Sequence, residues 1–181
     1  YIPMPRFLQV IPLKIYRKIS LDTEKSTVLE IPFTVRDGFR YTGFVHSKMS
    51  IHGTLLHQKP VIGGYLPRIN EYVFDYYRNL LFIGYVAQII DKGNYNPYTE
   101  QPKDPVIVPF SYPIEDVVKE LDFLNIQYII LKNDETYTET IAHIIQTAGY
   151  ARVLQDKGYD LYSKKIKPSY LNTINFGSTY D

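Results

Sequence analysis

Two short runs of apolar and β-branched residues constrain the fold of this chain more than any other feature. The run TVLEIPF covers residues 27–33, and the run QYIILK covers residues 127–132. Runs of this length and composition are typical of strands that are buried on both faces of a sheet. Pro32 should stand at the end of the first strand, because proline has no N–H to donate to a neighbouring strand.

The sequence also predicts helices that could cover the two faces of such strands. Apolar residues recur at three- and four-residue steps over residues 70–91, which predicts one long helix or two shorter ones, stopped by Gly93. Another helix should begin at Pro113, whose fixed φ suits the first helical position. A further helix is expected to begin near Asp134 and to end at Gly149. Its inward stripe should comprise Tyr137, Ile141, Ile144, Ile145 and Ala148.

A β-hairpin is expected towards the end of the chain. Residues 151–155 and 159–163 have strand composition and flank Asp156-Lys157-Gly158, which predicts a three-residue turn. Together with the buried runs and the helices, this hairpin indicates an α/β fold. The sequence predicts one mixed sheet with helices packed on at least one of its faces.

The α/β domain is predicted to span residues 21–163. Prolines prevent a long helix near the start, so residues 1–20 are expected to be a lead-in segment laid against the body. Residues 164–181 have little periodicity and are expected to form a loosely packed or disordered tail.

Two long stretches lack a clear period. Residues 34–58 are expected to be irregular, with turn chemistry at Asp37-Gly38. Residues 94–113 carry five prolines and should form a long connection, with a short strand at residues 106–108 as an option.

The overall composition is that of a globular protein and excludes several kinds of function. Twenty basic residues against nineteen acidic ones give a net charge of +1, which argues against a nucleic-acid partner. Disulfides and thiolate sites are excluded, because there are no cysteines. No apolar run reaches the roughly 18 residues of a transmembrane helix. The 18 tyrosines suit an interface or carbohydrate contacts, and equally the margin of an apolar core.

No motif in the sequence predicts catalytic residues, a metal site or a cofactor. Nucleophile elbows, phosphate-binding loops and dinucleotide fingerprints are absent. His46, His52 and His57 have spacings of six and five, which match no common zinc pattern. His143 is expected at the surface of its helix. Glu30 stands among apolar neighbours and is predicted to contact a basic group, as Arg68 or Lys59 would provide.

The segment HQKPVIGGYLPR, residues 57–68, is the candidate ligand-binding loop. Adjacent glycines let the backbone take positive φ or approach a partner closely. Flanking cations could then hold an anionic or hydroxyl-rich ligand. The alternative is a tight structural loop whose polar groups bond its own backbone. The candidate ligand-binding residues are His57, Lys59, Gly63, Gly64, Tyr65 and Arg68.

The order of three motifs resembles a known protein family. VLEIPF is followed by HQKPVIGGYLPR and then by LNIQYIILK. This order is similar to the C-terminal region of large polytopic bacterial membrane proteins that resemble C-fold, dolichyl-phosphate-mannose mannosyltransferase-like glycosyltransferases. The proline-rich start YIPMPRF resembles the link after the last membrane helix in such proteins. The chain departs from the family at Pro67, where serine is more frequent, and at Thr54, where glutamine is common.

The resemblance implies a non-catalytic accessory domain on the extracytoplasmic side, periplasmic or extracellular. In such proteins the catalytic acids lie in loops between membrane helices, outside this region. The implied partners are the membrane-embedded part of the same parent chain and a lipid-linked sugar or glycan. Two other hypotheses stand beside it: a glycan- or phosphate-binding module that uses residues 57–68, and a small enzyme with His57 as general base.

Overall fold

The computed structural model of the chain describes residues 11–44, 49–91, 108–133 and 135–165, without the side chains of residues 49–52. In chain order the elements are α1 (Leu13–Ser20), β1 (Thr27–Ile31), β2 (Thr34–Arg36), β3 (Tyr41–Gly43), α2 (Met49–His57), β4 (Gly64–Tyr65), α3 (Glu71–Asn79), α4 (Leu81–Ile90), α5 (Ile114–Phe123), β5 (Ile126–Lys132), α6 (Thr138–Thr147), β6 (Tyr150–Asp156) and β7 (Tyr159–Lys164).

Four strands form a mixed sheet in the order β1-β5-β7-β6. β1 and β5 are parallel, and the other two pairs are antiparallel. The parallel register sets Leu29 beside Ile129 and Ile31 beside Leu131. Helices pack against this sheet, so the predicted α/β class with a C-terminal hairpin is confirmed.

Both strands predicted to be buried are covered on their two faces. Leu29 and Ile129 belong to a large apolar cluster that α4, α5 and α6 complete on one face. Val28 and Ile130 belong to a second cluster, which α1 completes on the opposite face through Ile15 and its neighbours. Successive strand residues point to opposite faces, so an uninterrupted apolar run is what a sheet between two helical layers requires.

The prediction that residues 34–58 are irregular is wrong. β2 and β3 form an antiparallel hairpin, β4 pairs with β2 in parallel, and together they make a second sheet in the order β3-β2-β4. The end of the segment is helical and forms α2. Strands of two or three residues are too short to show an alternating pattern, so no periodicity marks them.

The helices largely follow the predicted periodicity. Residues 70–91 form two helices, α3 and α4, because Leu80 between them has an extended backbone with ψ 144°. A helix follows Pro113, as predicted, but Pro113 itself precedes the first helical residue and has a non-helical ψ of 136°. The five residues predicted to face inward from α6 are all buried, and Gly149 follows this helix with φ +93°.

The hairpin of β6 and β7 has a two-residue turn, so the predicted three-residue turn is wrong. Asp156 pairs with Tyr159, and only Lys157 and Gly158 lie between the strands. Both turn residues have positive φ, 50° and 82°. Such turns match the right-handed twist of the strands that they join.

Several predictions fall outside the described residues. These are Gly93 and Asp134 as helix boundaries, and most of the optional strand at residues 106–108. The start of the lead-in segment and the tail from residue 166 onward are also outside. In the part of the chain that the structure covers, no helix is long and apolar enough to cross a membrane.

A buried glutamate from a neighbouring helix caps α4. The residue before α4 is Leu80, whose side chain makes no capping hydrogen bond. Glu120 of α5 instead accepts hydrogen bonds from the backbone N–H groups of Leu81, Phe82 and Ile83. These N–H groups have no partner inside the helix, and a carboxylate there also interacts favourably with the helix dipole. Glu120 therefore links α5 to the most apolar helix of the domain.

Replacing Glu120 should destabilise the domain. Glu120→Ala leaves buried N–H groups without an acceptor, so we expect the free energy of unfolding to fall by about 1–3 kcal/mol. Glu120→Gln keeps one acceptor oxygen, so its free energy of unfolding should lie between those of wild type and Glu120→Ala. Urea unfolding followed by circular dichroism measures both, with the exposed Glu115→Ala on the same helix as the control. An equal effect of Glu115→Ala would contradict the capping role.

Candidate functional site

A polar cleft of about 490 Å³ opens where three turns meet. One turn connects α1 to β1, the second follows α2, and the third precedes β5. Almost all of the side chains that line it are polar, and they include both hydrogen-bond donors and acceptors. The lining residues are Ser20, Asp22, Thr23, Glu24, Lys25, Ser26, Thr27, His57, Gln58, Lys59, Pro60 and Asn125.

Lys59 is the buried cation of this cleft, with 6% of its surface exposed. Its Nζ donates a hydrogen bond to the Glu24 carbonyl and lies 3.5 Å from Asp22 Oδ2. The same Asp22 oxygen accepts a hydrogen bond of 2.8 Å from the Tyr128 hydroxyl. The ammonium group is therefore already neutralised by a carboxylate inside the cleft.

The pKa values of the Asp22–Tyr128 pair reflect this network. Burial alone would raise the pKa of Asp22, but hydrogen bonds from the Glu24 N–H and the Tyr128 hydroxyl, with the charge of Lys59, hold it below its ordinary value. Burial and the bond to Asp22 raise the pKa of Tyr128 to about 12. Asp22 is consequently ionised and Tyr128 protonated near neutral pH.

Ser26 and Asn125 form the wall of the cleft beside β1. Ser26 is 6% exposed, and its Oγ has no hydrogen-bond partner among the described residues. Asn125 takes a positive φ of 51°, donates from Nδ2 to the Lys25 carbonyl at 2.9 Å, and accepts from the Thr27 N–H through its own carbonyl. Asn125 thus holds the turn in place, and the Ser26 hydroxyl oxygen beside it is buried.

A buried pair, Glu30 and His57, lies behind the cleft. Glu30 is 0% exposed and His57 is 2% exposed, and Glu30 Oε1 lies 3.6 Å from His57 Nε2. The ring of Tyr16 packs on the imidazole with 5.6 Å between ring centroids. Burial, and then the neighbouring Glu30 carboxylate, raise the pKa of Tyr16 far above its ordinary value. The predicted partners of Glu30, Arg68 or Lys59, are therefore wrong, since its partner is His57.

The hydrogen bonds of His57 determine where its proton lies. The backbone N–H of Lys59 donates to His57 Nδ1 at 3.1 Å, so Nδ1 acts as an acceptor. When the ring is neutral, its proton is on Nε2, which faces Glu30. Nδ1 is therefore engaged within the fold, and Nε2 faces Glu30 at 3.6 Å without a hydrogen bond.

Gly53 allows α2 to approach this pair. A Cβ atom at Gly53 would lie 2.0 Å from Glu30 Oε1 and 3.0 Å from His57 Nε2. Any side chain there would overlap the carboxylate. Helix α2, which carries His57, therefore packs directly against the Glu30 side chain.

The structure divides the predicted ligand-binding loop into two parts. His57 and Lys59 lie at the cleft, whereas Gly63, Gly64, Tyr65 and Arg68 are not among its lining residues. Gly63 and Gly64 take φ of 113° and 135° as the chain enters β4. A Cβ at Gly63 would come within 2.6 Å of the Thr34 carbonyl oxygen, so this glycine serves the pairing of β4 with β2.

The carboxylate of Asp37 organises the turn between β2 and β3. It accepts hydrogen bonds from the backbone N–H groups of Phe39 and Arg40 and, across the fold, of Ile69. The bond from Phe39 is the largest cause of a lowered pKa, and it outweighs the opposite effect of burial. Asp37 is therefore a structural residue outside the cleft.

The four histidines do not assemble into a site within the described residues. His46 and the side chain of His52 lie outside the part that the structure describes, and His143 is exposed on α6, as predicted. Over the described ranges, no group of three or more histidine, aspartate or glutamate side chains could hold a metal ion.

Sequence reasoning missed Asp22, Ser26 and Asn125. Because the cleft is built from three separate turns, the residues that line it form no contiguous sequence motif. One local signal was available for Asp22, whose Oδ1 accepts from the Glu24 N–H at 3.0 Å, a turn that aspartate commonly forms after a helix.

No family model matches this chain, and no curated protein or solved structure matches it either. The resemblance to C-fold glycosyltransferases accordingly depends on the sequence motifs alone.

Introducing a methyl group at Gly53 tests how closely α2 packs against Glu30. In an exposed helix, Gly→Ala stabilises by up to about 1 kcal/mol. We expect Gly53→Ala to destabilise the domain by about 1–3 kcal/mol instead, because the new Cβ overlaps Glu30. Gly38→Ala is the control, since its Cβ would make only an ordinary 3.5 Å contact with the Pro67 carbonyl. Chemical denaturation compares the two, and a stabilised Gly53→Ala variant would contradict the contact.

The lowered pKa of Asp37 predicts an acid-dependent loss of stability. The folded pKa is below the unfolded value of 3.8, so the stabilisation is fully present above that value and is lost as pH falls through the folded pKa. Asp37→Asn should lower stability at neutral pH and flatten its decline below about pH 4. Urea unfolding at a series of pH values measures this. An unchanged acid profile would rule out the contribution of Asp37.

Proposed function

We propose that this chain is a non-catalytic binding domain that holds a hydroxyl-rich ligand, a saccharide, in the cleft beside Lys59. One observation carries the proposal. The buried Lys59 lines an open cleft whose other side chains supply both hydrogen-bond donors and acceptors.

The mixture of groups in the cleft favours hydroxyls over other ligand chemistry. Lysine and amide groups donate, carboxylates accept, and serine and threonine do both. A sugar hydroxyl also donates and accepts, so it can pair with any of these groups in turn. An apolar ligand would leave the polar lining unpaired.

The charge balance of the cleft favours a neutral ligand over phosphate. Lys59 lies 3.5 Å from the Asp22 carboxylate, and Glu24 lines the same cleft as Lys25. A phosphate would therefore face two carboxylates as well as two ammonium groups. Of the two ligand classes considered from the sequence, glycan suits this arrangement better.

The arrangement of His57 favours binding over catalysis. A general base needs a ring nitrogen within hydrogen-bond reach of the ligand. In His57, Nδ1 accepts from the Lys59 N–H and Nε2 faces Glu30. His57 is better suited to fixing the position of Lys59 than to moving a proton.

We further propose that the domain serves as the accessory domain of a membrane-bound, glycosyltransferase-like protein, on its extracytoplasmic side. The motifs support this role, and so does the outer face of α1. That face exposes Lys14, Arg17 and Lys18, with Leu13 at 52% and Leu21 at 76% exposure. A basic surface with apolar residues suits contact with the membrane-embedded part of the parent chain. Sugar transfer by this chain alone would contradict the accessory role.

Calorimetric titration tests the binding proposal. We expect heat of binding with neutral mono- or oligosaccharides and none with inorganic phosphate at the same concentration. Thr23→Ala, which removes an exposed hydroxyl of the cleft, should weaken binding about fivefold, because one neutral hydrogen bond contributes about 1 kcal/mol. Lys59→Gln should weaken it about tenfold or more, because a hydrogen bond from a charged donor contributes more.

Two variants serve as controls for this titration. Lys119→Gln removes an exposed lysine from α5, and Arg68→Gln changes the part of the predicted loop outside the cleft. Both should bind like wild type. Phosphate binding that depends on Arg68, without saccharide binding, would instead favour the loop as an anion site and overturn the proposal.

A further inference from the structure

Helix α1 has an apolar side inside the fold and a basic side outside it. The inner side is buried against the first sheet and consists of Ile15, Tyr16 and Ile19. The outer side carries five long and exposed side chains, which are those of Leu13, Lys14, Arg17, Lys18 and Leu21. These five residues are named here the α1 face.

Helical spacing places the members of the α1 face beside one another. Residues three or four apart are neighbours on the surface of a helix. Leu13, Arg17 and Leu21 therefore form one row, and Lys14 and Lys18 form the row next to it. Leu21 keeps a helical backbone, with φ −76° and ψ −16°, so the first row continues past the last turn. The cations thus lie between two leucines on one continuous surface.

The positive charge of the α1 face is not neutralised within the described part of the fold. Among the described residues, the side chains of Lys14, Arg17 and Lys18 form no ion pair. The carboxylates at the two ends of the helix are engaged otherwise. Asp156 is 8% exposed and accepts a hydrogen bond of 2.9 Å from the Lys14 backbone N–H. Asp22 is held by the ion pair and the hydrogen bond of the cleft, so the outer charge is positive.

Helix stability explains only part of this basic side. Cations in the last turn interact favourably with the helix dipole, which accounts for Arg17 and Lys18. Lys14 lies in the first turn, where a cation is unfavourable, and no acidic residue of the same turn offsets it. The exposed side chains of Leu13 and Leu21 contribute little to packing. The α1 face therefore has features that folding does not require.

We propose that the α1 face docks this domain on the headgroups of an anionic lipid bilayer. Lys14, Arg17 and Lys18 contact the lipid phosphates. Leu13 and Leu21 reach the boundary with the acyl chains at either end of the helix. Each cation near such a surface adds attraction, and apolar burial adds to it. Lysine is depleted at the centre of protein–protein interfaces, so the two lysines favour lipid over an acidic protein.

This inference rests on the part of the proposed function that places the domain at a membrane, and it names lipid as what α1 meets there. Helix α1 ends at the cleft, because Ser20 and Asp22, on either side of Leu21 in the chain, both line it. A domain docked through α1 therefore holds its cleft beside the headgroups, where the sugar of a lipid-linked saccharide would lie. Saccharide titration needs no vesicles and vesicle titration needs no saccharide, so the two proposals can fail separately.

The absence of tryptophan from the chain permits a direct test. Leu21→Trp places a single fluorophore on the α1 face, and Phe39→Trp places one in the β2–β3 turn of the second sheet, where Phe39 is 89% exposed. Vesicles of phosphatidylcholine mixed with phosphatidylglycerol should shift the emission of Leu21→Trp to the blue and leave that of Phe39→Trp unchanged. Vesicles of pure phosphatidylcholine should give a much smaller shift. No shift for Leu21→Trp, or an equal shift for Phe39→Trp, would overturn the proposal.

Vesicle co-sedimentation measures the contribution of the cations. Lys14→Gln should weaken binding to the mixed vesicles roughly fivefold, the effect of one cation near an anionic surface. The same variant should not lower stability in urea unfolding, because it removes an unfavourable charge from the first turn. Lys165→Gln is the matched control, since Lys165 is exposed and its backbone N–H bonds to Gly149, at the other end of the β6–β7 hairpin from Asp156. Equal weakening by Lys165→Gln would contradict the role of α1, and binding of polyglutamate without binding of vesicles would overturn the proposal in favour of an acidic protein partner.

Discussion

The contact between Glu30 of β1 and His57 at the end of α2 organises the cleft. Glu30 stands on the sheet face that α1 and α2 cover, where a buried carboxylate without a partner would be costly. His57 Nε2 lies 3.6 Å from this carboxylate, and His57 Nδ1 accepts a hydrogen bond from the backbone N–H of Lys59. Gly53 lets the helix come close enough for this contact to form. The position of Lys59, and hence the polarity of the cleft, depends on this pair.

Buried polar groups in this domain serve mainly to join elements that are distant in sequence. Glu120 joins α5 to the start of α4, Asp37 joins the β2–β3 turn to the segment before α3, and Glu30 joins β1 to α2. Each is an acidic side chain that faces donors or a ring from another element. Breaking such a buried contact by removing one partner typically costs a few kcal/mol, so these residues determine specific packing. Asp22 and Lys59 form a further pair of this kind, but theirs lines the open cleft.

The sequence predicts the first sheet and its helices well, because these elements are long enough to show a period. The pattern of apolar residues correctly predicts the positions of β1 and β5 and the inward stripe of α6. The second sheet could not be predicted, since its strands have two or three residues and their pairing is set by distant contacts. Of the residues that line the cleft, the sequence singled out His57 and Lys59, from the composition of their loop. The partner of Glu30 was predicted wrongly, because spacing along the chain does not reveal which side chain a helix brings onto a strand.

The location of bound saccharide decides whether the cleft or the loop of residues 57–68 is the binding site. Backbone amide shifts recorded by NMR during a saccharide titration report which part of the chain meets the ligand. We expect the largest shifts in the turn from Ser20 to Thr27 and at Gln58 and Lys59, with none at Gly64 or Arg68. Shifts confined to Gly63, Gly64 and Arg68, or no shifts at any saccharide concentration, would contradict it.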